Sequence, residues 1–181
     1  MEIKIRQKAE LTTKEYVISH GEKVLCYAYE AYRNFHNYID IISARGEKPA
    51  IRVEIKRHRR IWNEKFTVKI EEERELTFRS SSHFHHTFEL FDGAVHYEVI
   101  GHRGLNASVF RNDAQIAVLL KMNIISVFGA DRYHLQMDKD ADLQVLLALA
   151  LIWDMLYGDR TIDLGQFLQR QEQDYDWKPK G

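Results

Sequence analysis

The stretch from Leu143 to Tyr157 constrains the fold more than any other part of the sequence. Only Gln144 and Asp154 are polar within it, and most of the other residues are strong helix formers. A helix that carries apolar side chains in every direction has to be buried on every side. The sequence therefore predicts a helix that lies inside the molecule rather than on its surface.

The chain before this helix has the period-two alternation that is typical of β-strands. Turn signals such as His20-Gly21, Asp92-Gly93 and Asn112-Asp113 separate the alternating stretches, and their spacing predicts about twelve short strands. Nine strands are predicted individually: Tyr16–Ile18, Val24–Tyr29, Ile39–Ile41, Ile51–Ile55, Phe66–Ile70, His96–Ile100, Ser108–Phe110, Ile116–Val118 and Tyr133–Met137.

The length of the helix matches the height of a sheet built from such strands. At the usual rise per residue the helix is roughly 24 Å long, and a strand of eight residues spans about 26 Å. We therefore predict a mainly β domain over residues 1–158. Its fold is a closed antiparallel β-barrel of about twelve strands around a buried helix at 142–157. Residues 159–181 are predicted to form an amphipathic segment followed by a loosely held polar tail.

Charge and cysteine content limit the classes of function. Lys and Arg number 26 and Asp and Glu number 27, so a net charge of −1 gives no overall attraction for nucleic acid, and binding to an anionic surface needs a local patch. Cys26 is the sole cysteine, which excludes an internal disulfide and favours a reducing compartment. The alternating start, Met1–Arg6, does not have the pattern of a secretory signal. We expect a cytoplasmic protein, at most peripheral to a membrane.

Several stretches of the chain are similar to a known family. They are Ile41–Lys48, Ile51–Lys56, Asp113–Ala117, Lys121 with Phe128–Leu135, and Asp142 with Leu147–Asp154. In these stretches the chain resembles the tubby C-terminal-like superfamily, and within it the small bacterial members of the LURP-one-related family. The similarity covers roughly residues 1–157 and is most specific from Asn112 to Met155.

This resemblance implies a twelve-stranded barrel around a hydrophobic helix. The relation to phospholipid scramblases and tubby proteins implies membrane-lipid or scaffold roles. Tubby proteins bind phosphoinositide head groups through basic residues, but no motif locates those residues in this chain. The chain departs from the family at Arg57–Arg60, where the family usually has small or apolar residues after a lysine.

The strongest cluster of charge is the candidate anion or phospholipid site. Clustered guanidinium groups bind phosphate in bidentate fashion, and an adjacent tryptophan suits the boundary of a lipid head-group layer. The alternative is an exposed hairpin end whose charges prevent edge pairing and find partners in Glu71–Glu73 or Glu75. The candidate residues are Arg52, Lys56, Arg57, His58, Arg59, Arg60 and Trp62.

Other polar residues give weaker signals for chemistry. His83 and His85 would share one face of a strand, but two imidazoles are too few for a closed zinc site, so they are only a weak metal candidate. The run Asp138-x-Asp140-x-Asp142 lacks the glycine and distal glutamate of a calcium loop, and capping of the helix start by Asp140 or Asp142 explains it better.

No nucleophile elbow, phosphate-binding loop or dinucleotide motif occurs, and Cys26 is interpreted as a small buried side chain. Asp154 is expected to bind an Arg, Lys or Tyr side chain or a backbone N–H group of the strands, or to emerge at the end of the barrel. The helix also fills the space in which a barrel would hold a ligand. We therefore predict a non-enzymatic binding module with no cofactor, which recognises phospholipid head groups or a membrane surface. The alternative is a protein-interaction scaffold or homo-oligomer. It would use the C-terminal tail and the aromatic residues at three strand corners, which are Asn34–Tyr38, Ile61–Phe66 and Val127–Tyr133.

Overall fold

The structure is a computed structural model that describes residues 1–8, 14–33, 36–46, 49–56, 65–70, 74–82, 87–102, 106–122, 132–157 and 177–180. These residues form twelve strands and one helix. The elements are β1 (Glu2–Lys8), β2 (Glu15–His20), β3 (Lys23–Arg33), β4 (His36–Ser43), β5 (Pro49–Lys56), β6 (Lys65–Ile70), β7 (Arg74–Ser82), β8 (Thr87–Asp92), β9 (Val95–Gly101), β10 (Ala107–Arg111), β11 (Ala114–Lys121), β12 (Arg132–Met137) and α1 (Leu143–Tyr157).

All the strand pairings are antiparallel, and each strand pairs with its neighbours in the chain. The strand order is β1-β12-β11-β10-β9-β8-β7-β6-β5-β4-β3-β2. The first strand also pairs with the last, since Ile3 lies opposite Leu135 and Ile5 lies opposite Tyr133. On its other side β1 pairs with β2. The prediction of a mainly β chain with antiparallel strands and one helix is confirmed.

Three strands, β1, β7 and β8, are missing from the nine that the sequence predicts individually. In β7 the sequence signal for a strand is weak, because only Leu76 and Phe78 belong to the hydrophobic core. Glu75 and Arg79 on its other face are exposed, and the strand continues through polar residues to Ser82. Its pairing with β6 compensates for this weak local signal, because a buried neighbour supplies the packing that determines strand preference.

The tight turns between strands follow the sequence signals. Gly21 and Gly93 have φ angles of 58° and 59°, in the left-handed region that glycine adopts without strain. Asn112 and Asp113, between β10 and β11, have φ angles of 48° and 65°. Two consecutive positive φ angles are typical of a type I′ hairpin turn, and Asn and Asp tolerate them better than other side chains.

The helix α1 is buried on every side. From Val145 to Asp154, ten consecutive residues, no residue is more than 5% exposed. Since each residue turns a helix by about 100°, ten buried residues in succession leave no exposed face. The predicted bounds, Leu143–Tyr157, and the predicted burial are both confirmed. The facing surface of the sheet supplies large apolar side chains, and Phe88 makes an edge contact with Trp153 at 6.4 Å between ring centroids.

Asp142 fixes the start of α1. Its Oδ1 atom accepts hydrogen bonds from the backbone N–H groups of Gln144 at 3.0 Å and Val145 at 3.2 Å, so the predicted helix cap is present. Its Oδ2 atom accepts a hydrogen bond from Arg74 of β7 at 2.6 Å, and Arg74 also contacts Asp92 of β8. The hydrogen bond to Asp142 raises the pKa of Arg74 further above its ordinary value. The arginine thus connects the helix start to two strands.

Both ends of the described chain are attached to this end of the sheet. The N-terminal ammonium of Met1 donates to the carbonyl oxygen of Met137 at 2.7 Å. The backbone N–H of Lys180 donates to Oδ1 of Asp138 at 2.5 Å, and Asp138 is only 3% exposed. The tail predicted to be loosely held is therefore fixed at Lys180, whereas residues 159–176 lie outside the described part. No helix within the described ranges is long and apolar enough to cross a membrane.

We expect Leu149→Asp to prevent folding. Leu149 is 5% exposed in the middle of α1, and an unpaired carboxylate at this position costs several kcal/mol, a large part of the total stability of a domain. Soluble yield and urea denaturation monitored by circular dichroism would measure the effect. Met122→Asp is the control, because Met122 is 52% exposed. A soluble Leu149→Asp protein that unfolds cooperatively would contradict the burial of α1.

Candidate functional site

Two residues of the predicted basic site lie in the described part of the chain. Arg52 and Lys56 belong to β5, which ends at Lys56. Five residues of the predicted site lie outside the described residues: Arg57, His58, Arg59, Arg60 and Trp62. The weak metal candidates His83 and His85 also lie outside the described residues.

Arg52 lies in a row of mixed charge across four strands, in which two basic residues lie between two acids. Its cross-strand partners are Asp40 of β4 on one side and Lys69 of β6 on the other. Lys69 is in turn opposite Glu75 of β7, and the two side chains form an exposed ion pair at 3.5 Å. Opposite charges in facing positions stabilise a sheet modestly. This row supports the alternative of a solvated sheet surface at Arg52, with Glu75 as one of the acids involved.

Lys56 begins a row of a different kind. It lies opposite Lys65 of β6, and Lys65 lies opposite Arg79 of β7. These positions alternate with the buried residues Phe66 and Phe78, so the row lies on the outer face of the sheet. Adjacent strands are about 4.8 Å apart, and like charges in directly opposite positions destabilise a sheet. A bound anion would remove this cost, which makes the row a candidate anion site.

Sequence reasoning missed Lys65 and Arg79. They are separated from Lys56 by 9 and 23 positions in the chain, so inspection of a local cluster does not join them. A signal was nevertheless present, because Lys65 precedes the predicted strand Phe66–Ile70 and Arg79 lies one position after Phe78. Only the register between strands shows that Lys56, Lys65 and Arg79 are neighbours. Arg79 is exposed.

Asp154, the carboxylate within α1, has tyrosine partners on two strands. Tyr16 of β2 donates to its Oδ2 atom at 2.6 Å, and Tyr133 of β12 donates to its Oδ1 atom. All three residues are at most 2% exposed. The ammonium of Lys121 lies 5.5 Å from the centre of the Tyr133 ring. The prediction of a buried partner for Asp154 is confirmed, and the contacts fix the rotation and depth of α1 within the sheet.

A second buried polar group lies where β9 and β10 meet. Nε2 of His102 and Oγ of Ser108 are 2.8 Å apart, and the side-chain amide of Gln115 donates to the same Oγ at 3.1 Å. His102 is 2% exposed and Ser108 is 4% exposed. A hydroxyl beside an imidazole is the first half of a nucleophile and base pair. Here both side chains are buried, and the serine hydroxyl also accepts a hydrogen bond from Gln115.

The three acids before α1 bind different partners rather than one another. Asp138 accepts from the Lys180 amide, Asp142 caps the helix, and Asp140 forms an ion pair with Arg111 at 2.5 Å. The hydrogen bond from Arg111 holds the pKa of Asp140 below its usual value. No group of three or more His, Cys, Asp or Glu side chains within the described residues could hold a metal ion.

Cys26 is a buried thiol on β3, with 7% of its surface exposed. Desolvation raises its pKa to about 11, so the thiol is protonated at neutral pH and is a poor nucleophile. The prediction of a small buried side chain is confirmed.

The comparisons with known proteins add no information about this surface. No family model, no curated protein and no solved structure matches the chain.

We expect Tyr16→Phe to lower the free energy of unfolding by about 1–3 kcal/mol, because it removes one of the hydrogen bonds to a buried carboxylate. Urea denaturation of the purified protein would measure the loss. Tyr29→Phe is the matched control, since Tyr29 is 39% exposed and removal of a surface hydroxyl changes stability by at most about 0.5 kcal/mol. Equal losses in the two variants would show that Asp154 does not depend on Tyr16.

Proposed function

We propose that this protein is a non-enzymatic module that binds the head groups of anionic phospholipids at a membrane surface. The observation that carries the proposal is the row of like charges formed by Lys56, Lys65 and Arg79 on three adjacent strands. Lysine and arginine bind phosphate as a point charge and a planar fork, respectively. The basic run Arg57–Arg60 directly follows Lys56 and adds further positive charge in sequence.

The fold that we propose for this module is a closed barrel around α1, similar to the tubby C-terminal-like superfamily and its LURP-one-related family. The pairing of β1 with both β2 and β12 supports closure, and the complete burial of residues 145–154 supports an interior position for the helix. A helix in this position leaves no room for an interior ligand. Recognition then takes place on the outer surface.

The energies suit reversible binding to a membrane. A basic side chain close to an anionic bilayer contributes about 1 kcal/mol, so three positions contribute roughly 3 kcal/mol. This amount is sufficient for weak association, and the three arginines between 57 and 60 would strengthen it. Because the attraction is electrostatic, it weakens as salt shortens the screening length from about 10 Å at 0.1 M.

We expect neutralisation of the cationic row in the variant Lys65→Gln/Arg79→Gln to weaken binding by up to about 30-fold, which corresponds to about 2 kcal/mol. Sedimentation with phosphatidylcholine vesicles that contain phosphatidylserine would measure the partition coefficient. Neutralisation of Arg57, Arg59 and Arg60 should weaken binding on the order of 100-fold by the same arithmetic. Pure phosphatidylcholine vesicles should not bind the protein.

The control removes the same charge elsewhere. Lys23→Gln/Lys139→Gln alters two exposed lysines at the other end of the strands, one at the start of β3 and one in the turn after β12, and should leave binding unchanged within about twofold. If wild-type protein shows no preference for anionic vesicles, or if the two double variants lose affinity equally, the row has no role in lipid recognition.

A second candidate function is protein interaction, and one exposed aromatic favours it. Phe91 on β8 is 66% exposed and stacks on His96 of β9, with ring centroids 4.5 Å apart and planes 16° from parallel. Stacking holds the phenyl ring in one orientation, so it can be buried by a partner with little loss of conformational entropy. The simplest partner is a second copy of this chain.

In this case we expect Phe91→Ala to shift the protein from dimer to monomer, since aromatic anchors dominate interface energies. Light scattering after size-exclusion chromatography would measure the molar mass over a range of concentrations. Met122→Ala is the control, as this side chain is also exposed, at 52%. A wild-type protein that is monomeric at every concentration would exclude self-association through Phe91.

A further inference from the structure

The outer face of β1 forms a second basic surface, distinct from the row at Lys56. Lys4, Arg6 and Lys8 alternate with the buried residues Ile3 and Ile5, and all three basic residues are exposed. Residues two positions apart in a strand are separated by about 6.7 Å, so the three charges extend along roughly 13 Å of the sheet.

The neighbouring strand β12 adds to this surface. Arg132 lies opposite Arg6, which is again a pair of like charges in facing positions, and His134 lies opposite Lys4. The acids nearby are already bound to other residues of the face. Glu15 binds Lys8 at 2.6 Å, and Glu2 contacts Nδ1 of His134 at 2.9 Å. Lys4 and Arg6 therefore form the centre of the basic surface of β1.

The two basic surfaces are on opposite sides of the strand order. Three strands, β2, β3 and β4, lie between β1 and the end of the row on β5, and four strands, β8 to β11, lie between β12 and the end of the row on β7. On one route acids intervene, because Glu89 of β8 lies opposite Glu98 of β9, and Glu89 follows Arg79 in the same row. Since the two surfaces lie farther apart than the screening length of about 8 Å at physiological salt, each acts as a separate patch.

The net charge of −1 does not reveal that basic residues are grouped in two separate patches. Within about one Debye length of the surface, an anionic ligand is attracted by the nearest basic residues, and acids elsewhere on the surface do not cancel this attraction. A flat anionic surface can lie against only one side of the molecule at a time. A protein with a basic patch on each of two opposite sides can therefore contact two anionic surfaces.

We infer that the protein bridges two anionic bilayers, with the row Lys56–Lys65–Arg79 on one bilayer and the β1 surface around Lys4 and Arg6 on the other. This inference rests on the proposed binding to phospholipid head groups. The β1 surface is the weaker of the two, because ion pairs with Glu2 and Glu15 reduce its charge. It should supply the binding that we expect to remain when the row is neutralised.

Dynamic light scattering of phosphatidylcholine vesicles that contain phosphatidylserine would detect bridging as growth in apparent radius, and sedimentation in parallel would measure binding. Wild-type protein should bind and cluster the vesicles. Lys4→Gln/Arg6→Gln and Lys65→Gln/Arg79→Gln should each retain binding through the other surface but lose clustering. The variant with all four changes should lose both. These residues are exposed or lie on the outer face, so folding, checked by circular dichroism, should be unaffected.

The results separate this inference from the proposed function. Binding by wild-type protein without clustering would overturn bridging and leave lipid recognition intact, as would complete loss of binding in Lys65→Gln/Arg79→Gln alone. Clustering by Lys4→Gln/Arg6→Gln at the wild-type level would assign bridging to self-association and overturn the role of β1. Wild-type protein that does not bind anionic vesicles would overturn both proposals.

Discussion

Burial of a helix that is apolar on all sides is the constraint on which the rest of this structure depends. Ten consecutive residues of α1 are shielded from water, so apolar side chains of the sheet have to cover the helix. This requirement explains why strands such as β1 and β2 alternate between a core face and an outer face. It also leaves the outer face and the ends of the strands for function. The two tyrosines that bind Asp154 are part of the same arrangement, since they satisfy the one charge that α1 brings into the core.

Cross-strand register gives the outer surface its electrostatic character. Positions far apart in the chain become neighbours about 4.8 Å apart, and at several places these neighbours carry the same charge. Arg6 with Arg132, Lys65 with Arg79, and Glu89 with Glu98 are such pairs. Each pair opposes sheet formation slightly, and the core supplies enough stabilisation to tolerate it. Facing side chains of like charge that folding does not require indicate a surface that binds a ligand of the opposite charge.

The helix was predictable from the sequence because its signal is local and strong. Leu143 and Tyr157 are its predicted and observed ends, and Asp142 caps it as expected. β7 was not predicted, because its inward residues are few and its packing comes from strands elsewhere in the chain. The candidate site was predictable only at Arg52 and Lys56, since the partners Lys65 and Arg79 depend on register. The tyrosine partners of Asp154 could be anticipated as a type of residue but not by position.

The pairing of the first strand with the last affects how the chain reaches this structure. β1 is made early but finds β12 only after the intervening strands exist, and Met1 contacts Met137 across 136 positions. Contacts between such distant segments are costly in loop entropy and slow the folding of small proteins. The apolar helix follows β12 in the chain, so during synthesis it emerges from the ribosome when the strands that cover it are already available. Its position after the twelve strands thus limits the time for which this apolar segment is exposed to water.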